Sequence, residues 1–351
     1  MPRQSPRHLG ETALGSPLKI ALPRAGFSIS VARMRLARLL SVSMFAVLAA
    51  ACSTTPAPPS RPAAAAPPPI AEAPDGATEV WPGHAPEILA KSAILIDART
   101  GKVLFQKNAD ARRPVASTQK LLTALIVARA GNLDEIVTIA APETRAEPTK
   151  LNLKVGERYP RRQLLEAVMV KSMNDACAAL ARDHSGSESA FAGKMNAVAR
   201  AIGANSSHFA NSNGLPAEQY STARDMARVA FYAYRCPVLR ELMLERECRF
   251  RHNSGRVSVL EATNFLLARS PAFNGMKTGY TNAAGRCLIS SGKLNGREVI
   301  LVQLGSKTDH IFNDAARAMA WAPPAPAFFA NGSRSEEHTS ELQSRVDISY
   351  A

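Results

Sequence analysis

The chain has 351 residues, 46% of them hydrophobic and 21% charged, with five cysteines and a formal net charge of +14. Within residues 1–38, Arg3, Arg7, Lys19, Arg24, Arg33, Arg35 and Arg38 oppose Glu11 alone, so much of that charge lies in the N-terminal end and the remainder is only moderately basic, suited to anionic surroundings such as a cell-wall polymer. The length leaves about 240 residues for one large domain once the biased ends are set aside, and the lack of any basic-aromatic motif argues against nucleic-acid binding.

Residues 1–33 read as an extension upstream of the true start at Met34. Met34-Arg35-Leu36-Ala37-Arg38 is a basic stretch, and the apolar run from Leu39 to Ala51 is too short to span a bilayer, so residues 34–51 read as an export signal. The run ends in Leu48-Ala49-Ala50-Ala51-Cys52, which resembles a bacterial lipoprotein signal, with Leu48 one place further from Cys52 than that pattern has it. The resemblance implies lipidation of Cys52, and Ser53 after it implies sorting to the outer membrane. The alternative is an ordinary signal peptide with Cys52 incidental. Residues 52–84 form a linker rich in Pro and Ala, including Pro56-Ala57-Pro58-Pro59 and Pro67-Pro68-Pro69. Such a segment has no core to bury and favours an extended form; roughly 30 residues at ~3.1 Å each reach ~90 Å.

A domain is expected over residues 85–322. Ser92 to Asp97 and Lys102 to Phe105 flank a turn at Arg99-Thr100-Gly101 and read as a hairpin. Pro114 precedes an amphipathic helix from Ser117 to Ala130 that stops at Gly131. Helices are expected at Leu164 to Met169, Ala176 to Asp183, Ala190 to Ile202, Thr222 to Tyr234 and Pro237 to Glu247, with a loop at Asn211-Ser212-Asn213-Gly214. Strands return at Met276 to Tyr280, Arg286 to Ser291 and Glu298 to Leu304, the last two joined at Leu294-Asn295-Gly296, before a helix from Ile311 to Ala322. Strands at both ends enclosing a helical middle make an α+β domain, an antiparallel sheet with a helical subdomain, its first and last strands together. Residues 323–333 are a Pro-rich tail. Residues 334–351 include Ser335-Glu336-Glu337-His338-Thr339-Ser340-Glu341-Leu342, which resembles a translated sequencing adapter; the alternative is a genuine polar tail.

Cys236 and Cys248 flank a helix that holds its ends ~18 Å apart, beyond the ~7 Å a disulfide spans. Cys177 and Cys287 read as buried thiols, and no cysteine or histidine shows metal-ligand spacing, so neither metal nor cofactor is expected.

Three short motifs stand in a fixed order: Ser117-Thr118-Gln119-Lys120, Ser172-Met173-Asn174 and Lys277-Thr278-Gly279. Residues i and i+3 share a helical face, so Ser117 presents its hydroxyl beside the Lys120 amine. Serine is a weak nucleophile without a base to take its proton. Lysine serves as that base once desolvation, the helix terminus and a second cation, here Lys277, lower its pKa. Ser172 is expected to relay the proton to the leaving group, and Asn174 to hold a substrate amide and the Lys120 side chain. Lys277 and Thr278 suit a terminal carboxylate, and Gly279 lets substrate lie close along the strand. The N–H groups of Ser117 and Tyr280 are expected to form an oxyanion hole. Singly, each motif has a bland reading: an N-cap, a solvated helix charge, a helix break, a strand end. Ser16-Pro17-Leu18-Lys19 and Ser290-Ser291-Gly292-Lys293 also match the first spacing without partner motifs, so the ordered set carries the inference.

S-x-x-K, S-x-N and K-T-G in this order mark the active-site serine enzymes that react with penicillin. Together with Thr100-Gly101-Lys102-Val103-Leu104, Arg113-Pro114-Val115-Ala116-Ser117, Asn213-Gly214-Leu215 and Met276-Lys277-Thr278-Gly279-Tyr280-Thr281, they make the stretch from Glu87 to Ala322 resemble the low-molecular-mass penicillin-binding proteins, the serine D-alanyl-D-alanine carboxypeptidases. The resemblance implies a β-lactamase/transpeptidase-like fold, removal of the terminal D-alanine from peptidoglycan stem pentapeptides through an acyl-enzyme on Ser117, and covalent inhibition by β-lactams. Many members place an arginine near the substrate carboxylate; that place falls at Phe312 here, with Lys307 and His310 as candidate substitutes. Many also carry a C-terminal β-rich domain and an amphipathic anchor, whose place the lipid at Cys52 would take in an exported, periplasmic enzyme. A D,D-endopeptidase cutting cross-links uses the same motifs. A non-catalytic wall-binding lipoprotein is opposed by the intact motifs. A β-lactamase of class A would add a deacylating glutamate, and no Glu-x-x-x-Asn pattern lies between Ser172 and Lys277, so slow deacylation of penicillin is expected.

Overall fold

The computed structural model describes residues 85–307 and 310–324. By contact the chain divides into Met1–Arg61 and Pro62–Ala351, and every described residue lies in the second unit. The expected export signal, Cys52, the linker and residues 334–351 lie outside the described residues, as does the Pro-rich tail beyond Pro324.

The strands β1 (Ser92–Asp97), β2 (Val103–Lys107), β7 (Phe273–Thr281), β8 (Gly285–Leu294) and β9 (Arg297–Ser306) form one antiparallel sheet in the order β2-β1-β9-β8-β7. The first and last strands pair directly, with Leu95 opposite Leu301, as the enclosing pattern predicts. The turns match their residues. Gly101 takes φ +77° while Asp97 Oδ1 accepts from the N–H groups of Arg99 and Thr100, and Asn295 and Gly296 take φ +52° and +74° between β8 and β9. Those left-handed values are what Asn-Gly tolerates and what a tight hairpin needs.

The strands are apolar on both faces because both faces are covered. Ile94, Ile96, Ile300 and Val302 face the helical subdomain, whereas Ala93, Leu95, Val299 and Leu301 pack against α9 (Ile311–Trp321) through Ile311, Ala315 and Met319. In the subdomain, α1 (Lys120–Ala130) is surrounded by α3 (Arg161–Lys171), α4 (Asn174–Ser185), α5 (Glu188–Ala201), α6 (Ala223–Tyr234) and α7 (Pro237–Leu244). Residues Lys120 to Val127 are all buried, so α1 is a central helix rather than the expected amphipathic one.

Ser117 does not open that helix. It lies in a 3-10 turn, Ala116–Gln119, that precedes α1. The i+3 geometry of such a turn eclipses side chains three residues apart, which brings Ser117 and Lys120 together more directly than an α-turn would. The helix expected from Pro237 stops at Leu244, and Glu247 starts the hairpin of β5 (Glu247–Arg251) and β6 (Val257–Glu261). This hairpin, the short pair β3 (Ile136–Thr138) and β4 (Arg158–Pro160), and the single turns α2 (Ala141–Thr144) and α8 (Leu266–Arg269) were not anticipated. Their three- to five-residue lengths leave little periodicity to read. Cys177, Cys236, Cys248 and Cys287 are buried free thiols.

Candidate active site

The three motifs meet at the junction of the sheet and the helical subdomain. Lys120, the first residue of α1, is fully buried, and its Nζ donates to Ser117 Oγ at 2.8 Å, Asn174 Oδ1 at 2.7 Å and the Asn213 carbonyl at 2.6 Å. Ser117 Oγ also donates to the Asn213 carbonyl at 3.3 Å. Burial pushes the Lys120 ammonium down to about 8, against an upward pull from its acidic neighbours. Desolvation, rather than the second cation, is thus the chief cause. Lys277, also fully buried, is held well below the usual lysine range by burial first and by the Lys120 charge second.

Ser172 ends α3 in the left-handed conformation, φ +67°, and Met173 restarts the chain as α4. That sharp corner places the Ser172 side chain on the cleft, where its hydroxyl makes no hydrogen bond to a described residue. Asn174 is committed within the protein: besides accepting from Lys120, its Nδ2 donates to the carbonyls of Glu147 at 2.9 Å and Pro148 at 3.0 Å.

On the other side runs β7, the edge strand. Lys277 Nζ donates to the Thr278 carbonyl at 3.0 Å, and Thr278 Oγ1 donates to Thr263 Oγ1 at 2.6 Å. Gly279 is required by the protein's own backbone. A Cβ there would lie 2.8 Å from Ser117 N and 2.9 Å from Thr118 N, so the close approach expected of a substrate is made first by the nucleophile's turn. The Tyr280 side chain is 60% exposed, with Arg286 of β8 5.5 Å from its ring centroid.

Between the two sides opens a cleft of about 560 Å³, lined by Ser117, Ser172, Asn174, Thr278, Gly279 and Tyr280; the two lysines lie beneath it. The remaining lining includes groups that residue patterns did not single out, Thr263 and Arg286 among them, and Phe312, whose ring is tilted 59° to that of Phe265 with centroids 5.3 Å apart. Lys307 and His310 are exposed and do not line the cleft; among the described residues, Arg286 and Lys171 are the cations that do. The Asn213 carbonyl was also missed. A main-chain acceptor leaves no mark in residue type, although the surrounding Asn and Gly did mark a loop.

A buried lysine bonded to a half-exposed serine, at the edge of an antiparallel sheet and the start of a central helix, defines an active-site-serine peptidase of the D,D-peptidase fold. Comparison with known families matches residues 80–308 to the D-alanyl-D-alanine carboxypeptidase family, peptidase S11. Among similar proteins, a D-alanyl-D-alanine endopeptidase of Pseudomonas aeruginosa is 34% identical over 241 residues, 67% of this chain and 77% of that protein. The D-alanyl-D-alanine carboxypeptidase DacA of Escherichia coli is 36% identical over 235 residues, 64% of this chain and 58% of that one. The crystal structure of the D-alanyl-D-alanine carboxypeptidase DacD from Francisella tularensis superposes with a TM-score of 0.63 at 31% identity, covering 67% of this chain and 70% of that one. The chain belongs to the D-alanyl-D-alanine carboxypeptidase family of serine peptidases.

Proposed function

We propose that the protein removes the terminal D-alanine from peptidoglycan stem pentapeptides through an acyl-enzyme on Ser117, and that penicillins acylate the same oxygen. The observation that carries this reading is the 2.8 Å bond between Ser117 Oγ and a Lys120 amine brought by burial to about 8. A base with a pKa near the operating pH is neutral often enough to accept a proton. Neutral Lys120 takes the Ser117 proton as Oγ attacks the scissile carbonyl. The oxyanion is received by the N–H groups of Ser117 and Tyr280, the first of which lies beside Gly279. Ser172 passes a proton to the departing amine, and Thr278 with Lys277 receives the carboxylate of the leaving D-alanine. Water then releases the acyl chain and Ser117 regains its proton.

Mass spectrometry of stem pentapeptides incubated with the protein tests the reading. Loss of one alanine, abolished in Ser117→Ala, is expected; an intact pentapeptide would sink it. A second reading, cleavage of cross-links, is favoured by the likeness to the P. aeruginosa endopeptidase, most of whose length the chain covers. Cross-linked dimers in the same assay separate the two, since an endopeptidase cuts the dimer and leaves the pentapeptide whole.

The sequence from Met34 to Cys52 supports export to the periplasm and attachment to a membrane, the outer one by the serine at position 53, through a lipid on Cys52. Labelled palmitate incorporated by the wild type and lost in Cys52→Ser is the expected result; equal labelling of both proteins rules the anchor out.

A further inference from the structure

The loop of residues 211–214 closes the back of the site. Its Asn213 carbonyl is shared by Lys120 Nζ and Ser117 Oγ, and a Cβ on Gly214 would sit 2.1 Å from the Ala116 carbonyl oxygen, so the loop lies hard against the nucleophile's turn. One residue upstream, Ser212 is fully buried and every polar group it has is bonded. Its N–H and Oγ donate to Glu188 Oε1 at 2.6 and 2.7 Å, and its carbonyl accepts from Thr123 Oγ1 at 2.7 Å and Cys177 Sγ at 3.4 Å. Glu188 is the first residue of α5. Its second oxygen, Oε2, is buried and has no hydrogen-bond partner among the described residues. A buried carboxylate oxygen without a hydrogen bond is costly unless a nearby positive charge offsets it. Lys120 is near enough for Glu188 to act on it.

We propose that Glu188 is the positioning residue of the Ser117–Lys120 pair: its carboxylate clamps Ser212, so that the next carbonyl along holds nucleophile and base in register, and its charge balances the lysine ammonium. The proposal rests on the roles assigned to Ser117 and Lys120 above. Three titratable groups act on or respond to Lys120: Cys177 from α4, Glu188 from α5 and Lys277 from β7. Among the described residues α3, α6 and α7, which also pack on α1, add none. Burial pushes the Cys177 thiol up to about 11, so it is neutral at physiological pH. Glu188 is therefore the acidic group that opposes the effect of burial on the lysine. It acts on geometry and on charge, and the two roles can be separated.

The test is the rate of acylation of the full-length protein by a fluorescent penicillin across a pH series, with thermal melts alongside. Glu188→Gln keeps an oxygen acceptor for Ser212 and removes the charge. Its plateau rate is expected within about twofold of wild type, and the acid limb of its profile moves to lower pH, because a lysine without its counter-charge loses its proton more readily. Glu188→Ala removes the acceptor as well and lowers the plateau about tenfold or more. An acid limb that stays in place in Glu188→Gln overturns the proposal, whatever Glu188→Ala does through loss of folding. A wild-type protein that penicillin fails to acylate at Ser117 would overturn the assignment of the site instead.

Discussion

Lys120 and Lys277 are both fully buried, yet the helical corner around Ser117 surrounds the first with three oxygen acceptors, whereas the edge strand offers the second a single acceptor among the described residues, the carbonyl of its neighbour Thr278. Burial drives both ammonium groups towards the neutral form, and the partners decide how far. Burial brings Lys120 down to about 8 against the pull of Cys177 and Glu188, whereas Lys277 is held well below the usual lysine range, the Lys120 charge adding to its burial. The corner thus holds a lysine of lowered proton affinity against the Ser117 hydroxyl. The edge strand is built around close contact: Gly279 against the Ser117 turn and Thr278 against Thr263.

The largest expected effect that would sharpen this contrast is in Lys120→Met. Loss of the base should slow penicillin acylation by ~10² or more, and the orphaned Ser117, Asn174 and Asn213 oxygens should lower the melting temperature. Lys277→Met orphans one carbonyl and replaces a poorly solvated amine with an apolar chain of similar shape, so its melting temperature should fall less or rise. Calorimetry on the two variants decides, and a larger fall in Lys277→Met would break the comparison.

Next in size is Gly279→Ala. The added methyl must displace the Ser117 amide 2.8 Å away, and a misplacement of about 1 Å in such a site costs ~10² in rate. Stopped-flow acylation would read the loss; a rate close to wild type would mean that the turn has room to move.

The smallest effects are with pH. Acylation should climb about tenfold per pH unit below the Lys120 value of about 8 and then level off, because neutral lysine is the active form. Stability carries the same sign. The folded state releases the Lys120 proton at about 8 and the unfolded chain at its ordinary 10.5, so the unfolded chain binds more protons between those values and stability contributed by this group rises with pH across that window. Chemical denaturation of the wild type and Lys120→Met through that window should show the rise in the first and its loss in the second. An identical slope in both removes the lysine as its source.

Much of this was legible in the residues. The hairpin turns at Gly101 and Asn295-Gly296, the helix expected from Thr222 to Tyr234 and the start of the seventh helix at Pro237 are local signals whose physics is local, and the structure places them within a residue of where the sequence does. The central helix was found but taken for amphipathic: burial on every side depends on five other helices that no window of sequence contains. Short pieces such as β3, β4 and the β5–β6 hairpin carry too few residues for a period, and the main-chain acceptor at Asn213 carries no residue signal at all.

The motifs themselves, in their order and spacing, named the residues proposed for the site, because a nucleophile and its base must be chemically specific side chains. The tertiary structure alone decided how they work together. It buried both lysines, set Gly279 against the backbone of Ser117, and brought Glu188, 71 residues after position 117, behind the loop that holds the pair. Desolvation and close approach depend on what surrounds a residue in space, and that is fixed only when the sheet and the helical subdomain close on one another.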